Sequence, residues 1–286
     1  MTDPFVTHRS LLFTVAYEML GSAADAEDVV QEAWLRWADV DQAAVRNPRA
    51  YSVQIVATQA LNRLRTVSRR REEYVGEWLP EPLVTSPDAA EDLQLAESVS
   101  IAMLTVLETL SPAERAVFVL REVFDTPYDE IAEVVRKSPA AVRQMAHRAR
   151  EHVAARRPRM QVNRTEQLAV IEKFIAAIST GDVQGLMEVL APEVVLIADG
   201  GGVVPALRTP IAGSKKVATL LARAPAVPGF AATIAWINAM PGARFDFEGA
   251  TAVMSLVVEG GRIARIYAIN NPHKLGRMDK VAQLRR

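Results

Sequence analysis

Cysteine is absent from the 286-residue chain, which excludes disulfide scaffolds, thiolate metal centres and cysteine nucleophiles. No apolar run approaches the ~20 residues that cross a bilayer. Met1-Thr2-Asp3-Pro4 lacks the basic-then-apolar opening of a secretion signal, so the expected location is the cytoplasm. Phosphate loops, nucleophile motifs and metal-ligand spacings are also missing, which leaves hydrolase, kinase and metalloenzyme chemistry unsupported and implies no cofactor. Aromatic residues are few, at 6%, and the net charge is only −1, so indiscriminate polyanion binding is not expected. What remains is 50% hydrophobic and 23% charged, a globular profile long enough for two or three domains.

The charge is unevenly placed. Residues 1–160 carry 19 Lys+Arg and 24 Asp+Glu, yet hold two concentrated basic segments, Arg63 to Arg71 and Arg136 to Arg159. Local basic faces on an otherwise acidic unit suit both nucleic acid and a protein partner.

Ser22, Asn47, Ser111, Thr126 and Ser138 each precede a helical pattern and can cap free amides, four of them followed by proline at the first helical position. Ser111 with Glu114 forms a capping box. Apolar residues recur at helical spacing at Val29, Val30, Ala33 and Trp37, and again at Val53, Val56, Ala60, Leu64 and Val67. Pro80, Pro82 and Pro87 interrupt the pattern, so residues 77–95 read as a linker between helical domains over 5–76 and 96–158. From residue 164 to 280 two helices precede several β-rich segments, with Glu259-Gly260-Gly261 as a hairpin signal. This order indicates an α+β domain.

Thr126 to Val153 has the layout of a helix-turn-helix. On its second helix Val142, Met145, Ala149 and Val153 should pack inward, leaving Arg143, Gln144, His147, Arg148 and Arg150 outward. Arg suits guanine and Gln suits adenine in the major groove, while Arg156, Arg157 and Arg159 are placed for phosphates. The cluster Ser68-Arg69-Arg70-Arg71 reads on its own as a solvated helix end.

These residues resemble the extracytoplasmic-function sigma factors of bacterial RNA polymerase. Asp25-Ala26-Glu27-Asp28-Val29-Val30-Gln31-Glu32-Ala33-Trp34 is similar to the region two stretch that docks on the β′ clamp helices, which implies polymerase contacts at Asp25, Asp28, Gln31 and Glu32. Pro48-Arg49-Ala50-Tyr51 through Arg71 resembles the helix that melts and captures the downstream promoter element. The resemblance implies DNA contacts at Gln59, Asn62, Arg63 and Arg65, with Asn62 where many members have an acid and Gln59 where Asn or Arg is frequent. Leu110-Ser111-Pro112-Ala113-Glu114-Arg115, Tyr128-Asp129-Glu130-Ile131-Ala132 and Arg148-Ala149-Arg150 resemble region four, which implies the polymerase β subunit and promoter DNA as partners.

The extension beyond region four is similar to a SnoaL-like domain of the nuclear-transport-factor-two-like superfamily, a cone-shaped α+β fold. Three motifs carry that likeness: Trp78-Leu79-Pro80-Glu81-Pro82, Asp199-Gly200-Gly201-Gly202 and Asn271-Pro272-His273-Lys274-Leu275, with His273 where Asp is common. The resemblance implies interdomain regulation in cis through Trp78, Leu79, Pro80, Glu81, Pro82, Asp199, Gly200, Gly201, Gly202, Asn271, Pro272, Lys274 and Leu275, with an unidentified small molecule as a conceivable pocket ligand. Each motif has a plainer reading as a turn or strand terminator, although Trp78 in a proline-bounded linker favours packing against another surface. The competing function is a SnoaL-type enzyme or small-molecule sensor fused to a DNA-binding module that acts without polymerase. Asp199, Asp246 and His273 would be its candidate proton-transfer groups.

Overall fold

The computed structural model describes residues 3–71, 74, 76–157, 164–204, 207 and 209–286; the side chains of 68–71 are not described. The Arg69-Arg70-Arg71 side chains and Arg159 therefore lie outside the described residues.

Four helices build the first unit: α1 (Pro4–Thr7), α2 (Arg9–Leu20), α3 (Ala23–Ala38) and α4 (Pro48–Arg71). Ser22 Oγ accepts from the Asp25 amide at the start of α3, and Gly21, at φ 66°, closes α2 in the left-handed region that glycine tolerates. The stripe of Val29, Val30, Ala33 and Trp37 is buried against α2 and α4. The second unit comprises α5 (Leu93–Val99), α6 (Ile101–Leu107), α7 (Pro112–Phe118), α8 (Tyr128–Val135) and α9 (Pro139–Ala154). Ser111 and Glu114 form the expected capping box and Ser138 caps α9. Thr126 does not cap α8. Pro127 takes the N-cap position, and the Thr126 amide instead donates to the Leu120 carbonyl to close the preceding turn.

The two helical units share one continuous core in this state. Leu12, Tyr17 and Met19 of α2 join Val99, Leu107, Val117 and Leu120 of the second unit in a single buried cluster.

The C-terminal domain contributes α10 (Arg164–Thr180), α11 (Val183–Val189), β2 (Leu190–Asp199), β3 (Ile211–Ala212), α12 (Ser214–Leu221), β4 (Ala231–Ile237), β5 (Met240–Phe247), β6 (Ala250–Glu259), β7 (Arg262–Ile269), α13 (Pro272–Leu275) and β8 (Val281–Ala282). Its sheet has the order β3-β2-β7-β6-β5-β4-β1-β8, in which β1 (Val84–Thr85) belongs to the linker. The proline-rich linker is thus ordered, and its strand pairs with β4 on one side and β8 on the other.

Alternation along the strands gives the sheet two working faces. Phe245, Leu256, Ile266 and Ala268 pack under α10 and α12. Val253, Val257, Tyr267 and Ile269 point the other way, onto Leu79 of the linker and Ile101 and Ala102 of α6. The second face is an interdomain core. Burying apolar area is favourable at ~25 cal/mol per Å², so this face helps to hold the units in their arrangement.

Candidate interdomain latch and nucleic-acid interface

The three short motifs converge on Asp199, which is fully buried at the end of β2. Its Oδ1 accepts from the Tyr74 hydroxyl at 2.6 Å and the Gly201 amide at 3.0 Å. Its Oδ2 accepts from the Leu79 amide at 2.9 Å and Lys274 Nζ at 2.6 Å. Lys274 also donates to the Leu79 carbonyl, and its ammonium lies 4.1 Å from the centre of the Trp78 ring and 5.2 Å from that of Tyr74. Asn271 completes the knot: Nδ2 donates to the Tyr74 oxygen at 2.8 Å, while Oδ1 accepts the His273 amide and starts α13. Burial and the neighbouring carboxylate hold the Tyr74 phenol well above its usual range, so it remains a donor.

Gly201 is required twice over. Its φ is 65°, and an added Cβ would fall 2.3 Å from Asn271 Nδ2. Pro272 and His273 are exposed, so replacement of the family's usual acid by His273 removes no contact seen here.

Leu79 through Leu83 are buried, and Glu81 reaches into the first helical unit. Its Oε2 accepts from the amides of Ala23 at 2.8 Å and Ala24 at 3.3 Å, an acidic group on the positive end of α3. The Tyr17 hydroxyl donates to the Glu81 carbonyl at 2.6 Å. The Trp78 ring packs beside Gly21, where a Cβ would stand 3.0 Å away.

Further ties fall outside the sequence motifs. Asn238, fully buried at φ 53° in the β4–β5 turn, donates through Nδ2 to the Tyr17 oxygen at 2.6 Å and the Val99 carbonyl at 2.7 Å. Its Oδ1 accepts the Leu83 amide at 2.8 Å. Arg115, 1% exposed, donates through Nε and Nη2 to the Glu18 carbonyl and pairs with Glu108. The Glu18 carboxyl is buried beside the Ser98 hydroxyl, and burial pushes its pKa up to about 8. Arg277 pairs with Glu27 on α3 at 2.8 Å, and Leu284 is buried in the shared helical core.

The nucleic-acid candidates divide into two groups. Val142, Met145, Ala149 and Val153 face inward on α9 as expected, and Arg143, Gln144, His147, Arg148 and Arg150 are exposed on its other side. Arg156 and Arg157 are exposed at its end, where Arg157 pairs with Glu97 at 3.0 Å. On α4, Asn62 and Arg65 are exposed. Two of the α4 candidates are engaged within the protein, contrary to the simple picture of a DNA face open to solvent. Gln59 is 5% exposed, and with its amide turned it bonds Glu32 and the Ala33 amide. Arg63 pairs with Asp25 at 2.9 Å, Glu32 at 3.0 Å and Asp28 at 3.6 Å. The acids expected to meet polymerase and the arginine expected to meet DNA therefore neutralise one another. Gln31 is exposed, as are Trp34 and Leu35 beside the acids.

Among the described residues, the three candidate proton-transfer groups share no hydrogen bond. Asp199 is occupied by the knot, Asp246 bonds Arg244 and Thr251 on β5 and β6, and His273 is exposed.

Comparison with known proteins decides between the two functional readings. The family models for Sigma-70 region 2 and Sigma-70, region 4 match residues 5–70 and 100–153. The ECF RNA polymerase sigma factor SigJ of Mycobacterium tuberculosis (strain ATCC 25618 / H37Rv) is 35% identical over 288 residues, covering 94% of this chain and 91% of SigJ. The chain belongs to the extracytoplasmic-function sigma factors. A probable sigma factor of that family, SigI of the same organism, is 33% identical over 283 residues, covering 94% of this chain and 92% of SigI. The crystal structure of M. tuberculosis SigJ superposes with a TM-score of 0.73 at 33% identity, over 95% of this chain and 96% of that one. This sigma factor is accordingly a non-enzymatic transcription initiation factor, with helical sigma units followed by a C-terminal α+β domain. An enzyme or sensor fused to an unrelated DNA reader is not supported. Among the described residues, no helix is long and apolar enough to cross a membrane.

Proposed function

We propose that this sigma factor is held in a closed state by its own linker and SnoaL-like domain and released when core polymerase competes for the sigma units. Asp25, Asp28, Gln31 and Glu32, flanked by exposed Trp34 and Leu35, form the surface for the β′ clamp helices. Region four meets the β subunit. Arg143 and Gln144 read the upstream element, supported by His147, Arg148 and Arg150, with Arg156 and Arg157 on phosphates. Asn62 and Arg65 meet the downstream element, joined by Gln59 and Arg63 once polymerase has drawn the acids away. Because the α9 reading face is exposed in the closed state, regulation acts by fixing the spacing of the two sigma units and not by covering the recognition helix.

The observation that carries this reading is the buried Asp199 carboxylate receiving Tyr74 from the segment after α4 and Leu79 from the linker. A regulatory domain must contact the closed and polymerase-bound states unequally, and this knot provides a contact specific to one of them. The test is run-off transcription with core polymerase, comparing the full chain with one ended after residue 159. Altered output is expected; identical output, with identical relative mobility of the sigma units, would make the extension a passenger.

A further inference from the structure

The sheet leaves a long stretch of one strand edge uncovered. β4 pairs with β5 along its whole length, but on its other side β1 reaches only Ile237. The direction of the backbone groups follows from the Asn238 amide, which donates to the Leu83 carbonyl of the linker. Strand alternation then turns the amides and carbonyls of Trp236, Ile234 and Ala232 to that same side. The Trp236 carbonyl accepts from the Thr85 hydroxyl at 3.5 Å, and among the described residues no hydrogen bond reaches the outward groups of Ile234 or Ala232.

Folded proteins blunt such edges with short strands, proline, charge or bulges. Other edges of this sheet follow that rule. β3 and β8 are two residues long, and β2 carries Pro192, Glu193 and a register shift in the stretch ahead of its pairing with β3. β4 has none of these devices. Ala231-Ala232-Thr233-Ile234-Ala235 contains no charge and no proline, its ladder with β5 is unbroken, and Ile234 is 39% exposed. An edge of this kind is a template for another strand.

We propose that the Ala231–Ala235 edge is a self-association surface, which pairs antiparallel with the same segment of a second copy of this chain about a twofold axis at Thr233. The register carries the choice of occupant. With Thr233 opposite its own copy, Ala232 stands opposite Ile234 of the second copy, so the outward amides and carbonyls of the two segments meet as reciprocal pairs and all are satisfied. An added strand must also stop opposite Ala235, because Thr85 stands beside Trp236. β4 of a second copy does so. Its first residue, Ala231, falls opposite Ala235, and the chain before it turns away at Gly229, where φ is 73° and the Phe230 amide bonds the Val227 carbonyl. Across the joint Ile234 covers Ala232 of the second copy, and two exposed threonines face each other on the axis, a favourable cross-strand pair. The surface lies in the C-terminal domain and is independent of the closed-state reading above.

The test is sedimentation velocity on the full chain. So small an interface should give a weak dimer, with mass rising from one chain to two around a Kd on the order of 100 µM. Thr233→Lys and Thr233→Glu each set like charges against each other on the axis and should weaken association by roughly fivefold, while an equal mixture of the two should restore it. Because the chain has no cysteine, mild oxidation of Thr233→Cys should cross-link two copies, and Ala231→Cys, displaced from the axis, should not cross-link. A chain that stays monomeric up to ~1 mM overturns the proposal. So does association indifferent to both charges, a mixture that associates no better than either variant alone, or cross-linking through Ala231→Cys as complete as through Thr233→Cys. Should the charged variants fail to fold by circular dichroism, the unaltered chain and the two cysteine variants decide.

Discussion

Replacing Asp199 by asparagine keeps the shape of the side chain while removing its charge and one acceptor. Asp199 and Lys274 lie in the same domain, so their mutual attraction survives in part when the latch opens and largely cancels from the closed–open difference. The bonds specific to the proposed closed state leave the domain: Tyr74 Oη, from the segment after α4, to Oδ1 and the Leu79 amide of the linker to Oδ2. An asparagine can accept only one of them, because its amide nitrogen presents hydrogens to the other. Loss of one hydrogen bond to a charged acceptor is worth about 1.5–3 kcal/mol, which multiplies the open population by roughly 10- to 150-fold. Native-state amide exchange can read this without disturbing the knot, through the reciprocal bonds between Asn238 and Leu83 that join the C-terminal domain to the linker 2.8 Å apart. Exchange at both amides should accelerate by that factor in Asp199→Asn, while the β6–β7 ladder inside the domain keeps its protection. Unchanged rates at Asn238 and Leu83 would refute the assignment of Asp199 as the latch.

Other consequences are equally specific. Glu18 has its pKa pushed up to about 8 by burial between the helical units, so it is neutral in the closed state and ordinary when the units part. The stability it lends is full below pH ~4.5 and is lost as pH rises through about 8; the urea midpoint for separation of the units, followed by small-angle scattering, should fall over that window and become flat in Glu18→Gln. Arg143→Ala should cost about 1–3 kcal/mol on promoter DNA and relax preference at one base pair; equal loss on random DNA would reassign Arg143 to phosphate. Reversing Asp28 and Glu32 to lysine should weaken core polymerase binding in a pull-down with helical content intact by circular dichroism, and unchanged affinity would remove α3 as the docking surface.

Helix caps, the helix-turn-helix and the order of helices before sheet were legible because each is written in local sequence. Ser111-Pro112-Ala113-Glu114 specifies its own amide partners, and the α9 stripe separates buried from exposed residues by period alone. Thr126 misled because a capping residue followed by proline is equally good one position early, and only the closing turn to Leu120 decides the register. The latch motifs were visible as words but not as partners. Asp199 and Tyr74 lie 125 positions apart, and no local pattern pairs them. Tyr17, Glu18, Tyr74, Arg115, Asn238 and Arg277 were missed for the same reason, since their roles exist only after the domains meet. Asn238 left the faintest trace, an Asn-Ala pair in place of the Asn-Gly usual where both turn residues take positive φ. Arg63 shows the converse: its type suggested DNA, but a basic residue one helix away from three acids finds them first when no partner is present.

The central claim is that the closed arrangement of the two sigma units gives way when polymerase binds. Because the chain has no cysteine, labels placed through Ala44→Cys and Lys137→Cys, both at exposed positions, are unique to the two units. Double electron–electron resonance between spin labels there should give one short, narrow distance distribution in the free full chain and a longer one in its complex with core polymerase. The same distribution in both states would contradict the account.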